Sequence, residues 1–248
     1  MNDTDTGIEK EAIPFQISEN KQTPKTLEIK YTISGSTFKT QLPVFNGGTA
    51  EEFLHFLNEF QQARTKLGYT NYQKLESGLE QLLQGTARNE WTTIKATVDP
   101  NVNTLASFAS RIDAFRRLYI PEPAAIETQK NYLRRVRKND RYTVPQFLDR
   151  MKHVNMLIPL FPDATTQDSF SQEELKSLFY HAMPVRWRTN FINSGLNYAL
   201  SSIDTLRTYM VQQELQTEAH RKKNREGNKR NSNNPNFTSY LFSNLTFK

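Results

Sequence analysis

The stretch QKNYLRRVRKNDRYTVPQFLDRMKHVNMLI, Gln129 to Ile158, joins a strongly basic segment to a capped apolar helix, and its reading decides the fold. Thr143, Val144, Pro145 and Gln146 form a capping box. The threonine hydroxyl can accept from the Gln146 amide, while the Gln146 side chain reaches back to the threonine amide. Pro145 suits a first helical turn, where its missing N–H forfeits no intrahelical bond. Val144, Phe147, Leu148, Met151, Val154 and Ile158 recur at three- and four-residue steps, the spacing of one helix face. That spacing predicts a helix over 144–158 with this face buried. Ahead of it, Lys130, Arg134, Arg135, Arg137, Lys138 and Arg141 stand against Asp140 alone, a local charge of +5. This cluster is read first as the solvated side of a helix whose C-terminal end it stabilises, and second as a surface that meets anions.

Working toward the N-terminus, the same local chemistry recurs. Residues 124–138 carry Ile126, Leu133 and Val136 and predict a helix, preceded by Pro121 and Pro123, which end the segment before them. That earlier segment, capped by Asn103 or Thr104, places Leu105, Phe108, Ile112, Phe115 and Tyr119 on one face. Ala87, Trp91 and Ile94 mark a shorter helix. Thr70 to Gln73 reads as a capping box leading into Leu75, Leu79, Leu82 and Leu83. Thr49 to Glu52 is a further box, opening Phe53, Phe56, Leu57, Phe60, Ala63 and Leu67, with Gly68 as the stop. Residues 26–42 alternate as strands do, with Leu27, Ile29, Tyr31 and Ile33 on one side, and predict a β-hairpin. It is too small to stand without helices to lean on.

Toward the C-terminus, Ser171 to Glu174 caps a helix with Leu175, Leu178, Phe179 and Ala182, followed by Trp187 and Phe191 and a last helix with Ile203, Leu206, Met210 and Leu215. The expected fold is therefore all-α: two small helical domains, 26–121 with the hairpin 26–42 and 122–220, between a flexible arm 1–25 and a basic disordered tail 221–248.

Composition narrows the function. The chain has 248 residues with 32 Lys and Arg against 26 Asp and Glu, net +6, and the excess is clustered, which points to a polyanion. With no cysteine, disulfides and Cys-ligated zinc are excluded. His55, His153, His181 and His220 show no ligand spacing, and no metal or other cofactor is expected. Asp5-Thr6-Gly7 matches the aspartic-protease triplet but lacks the apolar strand that would present it, and is read as chance. Neither Gly-rich nucleotide loops nor the zinc-protease or serine-hydrolase motifs occur. Glu51/Glu52 and Glu173/Glu174 sit in first helical turns, where the dipole favours acids. The expectation is a protein that is not an enzyme. An acidic, polar start and the lack of any run of about 18 apolar residues point to the cytoplasm.

The tail residues Arg221, Lys222, Lys223, Arg225, Lys229 and Arg230 against Glu226 give +5 in ten residues. A basic segment of this kind binds nucleic acid by counterion release without reading sequence, so these six are the candidate RNA-binding residues. The competing reading is a solubilising tail.

The order of features resembles the capsid region of Gag proteins from long-terminal-repeat retrotransposons of the Gypsy type. The resemblance rests on LPVFNGG before a Phe-rich helix (Phe45, Gly47, Phe53, Phe56, Phe60), LEQLLQGTARNEW ending at Trp91, then Phe108 and Phe115, then TVPQFLDRM and LFYHAMPVRWRTNF, and covers about residues 42–220. It implies two helical capsid domains that self-assemble into virus-like particles around RNA, with no membrane partner. It also implies that Val144, Phe147 and Arg150 are a structural motif holding the C-terminal domain together. Two departures limit it: the retroviral homology region carries a Gln-Gly pair and a glutamate upstream of its aromatic, where this chain has Tyr142 and no Gln-Gly, and with no cysteine there is no zinc knuckle. The alternative is a domesticated, non-assembling RNA- or protein-binding module derived from such a Gag. An enzyme of another type would need converging ionisable groups that no spacing here suggests.

Overall fold

The computed structural model describes Ile13 and residues 25–33, 36–121 and 124–232, with side chains described except at 32, 33 and 226–232. Two antiparallel strands, β1 (Thr26–Ile33) and β2 (Ser36–Pro43), precede nine helices among the described residues. These are α1 (Ala50–Lys66), α2 (Tyr72–Leu82), α3 (Gly85–Thr97), α4 (Leu105–Tyr119), α5 (Ala125–Arg135), α6 (Val144–Leu157), α7 (Gln172–Ala182), α8 (Val185–Asn193) and α9 (Ile203–Ser232), with a 3₁₀ turn at Ile158–Leu160. The fold is mostly helical with a short N-terminal hairpin, as the periodicities predict.

Most helices begin where their caps place them. Thr49 N donates to Glu52 Oε2 at 2.8 Å and Glu52 N to Thr49 Oγ1 at 3.3 Å. Thr143 with Gln146 and Ser171 with Glu174 close the same reciprocal pairs. At α4 Thr104 is the cap and Ser107 completes its box. At α2 the cap is Asn71, one residue later than expected, because its carboxamide accepts from Lys74 N at 3.0 Å. The end of α1 is a Schellman turn: Gly68, at φ +66°, donates to Thr65 O and Tyr69 N donates to Arg64 O at 2.9 Å.

The hairpin pairs Thr26 with Pro43 through to Ile33 with Ser36, which sets Tyr31 opposite Phe38, their rings stacked at 5.7 Å. Among its described side chains only Leu42, at the base, is buried; Leu27 and Phe38 remain exposed. The hairpin therefore leans on the helices through one end rather than one face.

The chain divides into two compact units, one of Met1–Val136 and Arg150–Leu178, the other of Arg137–Asp149 and Phe179–Lys248. This corrects the expected division after Pro121. Helix α5 belongs to the first unit: Gln129 Oε1 accepts from Ile13 N at 2.7 Å, and Lys130 and Arg134 lie 5.1 and 5.4 Å from the Phe170 ring. Ile13, placed by sequence in a flexible arm, is buried through this contact. Residues 150–178 join the same unit through Arg150, described below, and Asn155, whose carboxamide donates to Phe170 O at 2.9 Å and accepts from Phe170 N at 2.8 Å.

In the first unit the core is aromatic. Phe45 packs on Phe56 at 5.3 Å and on Tyr119 at 5.4 Å; Phe53 stacks on Tyr119 at 4.3 Å and meets Phe115 edge-on at 4.9 Å; Trp91 lies 5.6 Å from Phe115. Phe45 also bridges to the end of α2, its N–H donating to Leu82 O and its carbonyl accepting from Gln84 N. Gly85 follows at φ +48°, in the left-handed region that favours glycine, and a Cβ there would oblige the Asn46 side chain to turn aside. In the second unit Trp187, Phe191, Leu206 and Met210 are buried as predicted. Leu105 and Leu215, placed on buried faces by spacing, are instead exposed. Leu105 is the first residue of α4, and Leu215 lies half a turn round α9 from Leu206.

Candidate nucleic-acid interface

The expected disordered tail is helical over its first twelve residues, because α9 runs on to Ser232. Low apolar content suggested disorder, but residues 211–225 are rich in Gln, Glu, Leu, Ala, Lys and Arg, which favour helix without needing burial. Arg221, Lys222, Lys223 and Arg225 are exposed on this helix. Lys229 and Arg230 lie on its helical backbone, and residues 233–248 lie outside the described residues. The six candidate residues thus sit on a continuous helix whose register fixes which of them share a face.

The basic cluster 130–141 divides. Lys130 and Arg134 cover Phe170, and Arg134 also donates to Glu127 at 2.9 Å. The side chain of Lys138 is buried: its Nζ meets Glu214 Oε1 at 2.8 Å and lies 5.8 Å from the Trp187 ring. Glu214 also accepts from Val144 N at 2.9 Å through its other oxygen, and Lys138 N donates to Ala182 O at 2.9 Å, so the 137–143 loop is fixed to α9 and to the end of α7. Arg135, Arg137 and Arg141 stay exposed. Asp140 accepts from Arg221 Nη1 at 2.8 Å, bringing together two basic segments 81 residues apart.

Arg137 also acts on His181. Burial against Tyr180 and Tyr198, whose rings meet the imidazole edge-on at 5.2 and 5.5 Å, lowers the His181 pKa, and the Arg188 and Arg137 charges lower it further. The second unit carries thirteen Lys and Arg against six Asp and Glu, net +7, whereas the first carries nineteen against twenty, net −1. The whole positive excess of the chain belongs to the second unit.

The motif residues occupy different settings. Val144 and Phe147 are buried in α6, and the rest of the predicted face, Leu148, Met151, Val154 and Ile158, is buried with them. Arg150 is buried as well, and its guanidinium meets Glu51 in a two-pronged pair, Nη1 to Oε1 at 2.6 Å and Nη2 to Oε2 at 2.8 Å. Both residues belong to the first unit, where the pair holds α6 to α1. His153 Nε2 lies 3.5 Å from Glu51 Oε1, and its ring is 6.1 Å from that of His55. Their 98-residue separation hid this proximity from a reading based on spacing.

Arg111 had no signal in the sequence. It is buried in α4 and donates to Tyr72 Oη at 2.6 Å, to Glu76 at 3.2 Å, and to the carbonyls of Val98, Asp99 and Val102. These bonds hold the turn in which Asp99 and Asn101 adopt positive φ. Among the described residues no group of three or more His, Asp or Glu is placed to hold a metal ion, and no helix is long and apolar enough to cross a membrane. Comparison with models of known families, with curated proteins and with solved structures returned no match to this chain.

Proposed function

We propose that this chain is a Gag-type structural protein that self-assembles into capsid-like particles and packages RNA without sequence preference, in the cytoplasm and without catalytic activity of its own. The observation that carries the RNA part is the exposure of Arg221, Lys222, Lys223 and Arg225 on α9, in the unit that holds the whole positive excess. Clustered positive charge on a fixed element attracts a phosphate backbone and releases its counterions. The assembly part draws on the resemblance: Phe45, Phe53, Phe56, Trp91 and Phe115, which carry it, meet in one aromatic core.

The purified full chain, imaged by negative stain and sized by light scattering with and without single-stranded RNA, tests both parts. RNA-promoted particles are expected. Replacing all six candidate residues with glutamine keeps the helix and should weaken binding to unrelated RNAs alike. The salt dependence should flatten by up to roughly 0.7 log units per lost contact. A chain that stays monomeric at every concentration and salt, with or without RNA, would overturn assembly. Unchanged affinity in the six-glutamine variant would overturn this placement of the RNA site.

A further inference from the structure

Resting on that RNA-binding reading, we propose that the site is a folded surface of two segments, Arg137 and Arg141 on the 137–143 loop with Arg221, Lys222 and Arg225 on α9, and that Asp140 is its built-in competitor for Arg221. The loop is held rather than free. Its Lys138 side chain is buried against Glu214, Lys138 N is bonded to Ala182 O, and Arg141 N donates to Asn139 Oδ1 at 3.0 Å. With the Lys138 charge satisfied internally, the loop presents its arginines outward.

On α9, Glu214, Thr217, Arg221 and Arg225 follow at steps of three and four and so share one face. Glu214 and Arg221 both bond to the loop from that face, Arg221 through Asp140. Arg225 lies one turn further on, about 6 Å along the axis, so the basic face continues past the loop. Four of the five proposed contacts are arginines, whose planar fork suits phosphate oxygens.

The Asp140–Arg221 pair is exposed on both sides, 77% and 54% respectively. Pairs of this kind contribute little to folding and exchange readily with another anion. A phosphate arriving at Arg221 must displace Asp140 and meets its negative charge. The acid therefore keeps the site weaker than its arginines alone would make it. RNA fits this face better than an anionic membrane does. An interfacial helix needs an exposed apolar side, and residues 218–225, EAHRKKNR, offer none beyond Ala219.

The test uses the full chain and a fluorescent single-stranded RNA of mixed sequence, with affinity followed over a series of potassium chloride concentrations. Arg137→Gln with Arg141→Gln should weaken binding and flatten the salt slope by up to roughly 1.4 log units, two contacts' worth. Asp140→Asn should act in the opposite direction and tighten binding by about two- to fivefold, and adding Arg221→Gln should abolish that gain. Circular dichroism of each variant keeps folding separate from binding. If the loop arginine pair and Asp140→Asn both bind like the parent while the six-glutamine variant loses RNA, the two-segment site is wrong and the RNA reading stands on α9 alone. If the parent binds anionic vesicles but not RNA, both fall.

Discussion

The arginines of the two units are put to different use. In the first, Arg111 and Arg150 are buried, the former bonded to Glu76, a tyrosine hydroxyl and three backbone carbonyls, the latter to Glu51 through both of its terminal nitrogens. In the second, Arg137, Arg141, Arg186, Arg207, Arg221 and Arg225 are exposed, and it is Lys138 that is sealed against a carboxylate. A buried guanidinium needs its partners, because an unsatisfied charge in a low-dielectric interior costs far more than one in water. An exposed guanidinium can exchange partners. The buried arginines of the first unit therefore serve architecture, whereas exposed ones such as Arg221 in the second can exchange a carboxylate for another anion.

The comparison can be broken most forcefully in the cores. Phe147→Ala in the second unit and Phe53→Ala in the first should each cost about 3–5 kcal/mol, since both rings are buried and leave cavities. Urea unfolding followed by circular dichroism measures this, and a parental midpoint for Phe147→Ala would mean that the packed face of α6 has been misassigned.

Next comes the contrast between ion pairs. Glu51→Gln leaves the Arg150 charge opposite a neutral amide and should cost about 3 kcal/mol. Asp140→Asn removes an exposed partner and should leave the melting temperature unchanged within error. Equal destabilisation by the two would erase the distinction between structural and exchangeable arginines.

Two pH effects are smaller. Burial, with the Glu90 carboxylate accepting its O–H at 2.6 Å, raises the Tyr119 phenol above its ordinary value. The stability it confers is intact below about pH 10 and is lost as pH climbs toward the raised value. Tyr119→Phe should remove that alkaline loss from the unfolding profile. His181 has the opposite sense: its lowered pKa means the folded state binds the proton less tightly, so stability falls as pH drops below about 6.5. Arg137→Gln should move the His181 titration, followed by NMR, upward toward the ordinary value. An unmoved midpoint would place the Arg137 charge elsewhere.

What was legible in the sequence is what is local. The caps at Thr49, Thr143 and Ser171 bond across three residues, and the α6 face from Val144 to Ile158 repeats with the helix period; both could be read directly. The pairing of Arg150 with Glu51 spans 99 residues, and the contacts of Arg111 reach back as far as 39. A linear reading sees only that these residues are charged. It assigned Glu51 to its helix dipole and gave Arg111 no role. Charge alone marks the candidate RNA residues in the sequence, but their low hydrophobicity hides a helical setting that rests on intrinsic propensity. The approach of Asp140 to Arg221 needed the fold itself.

The interleaving of the two units along the chain has a consequence for synthesis. A ribosome that has completed Val136 has not completed the first unit, because that unit also needs residues 150–178, forty-two positions further on at their far end. At roughly 5–20 residues per second that gap lasts about 2–8 s. For about the first third of it the Glu51 carboxylate has no Arg150, and the 13 residues from Arg137 to Asp149 emerge before any of the other residues of their own unit. Nascent chains arrested within this window should be more readily cut by protease than chains arrested beyond residue 178, once each has cleared the exit tunnel. Order of emergence, as much as final stability, then determines when the aromatic core is first protected.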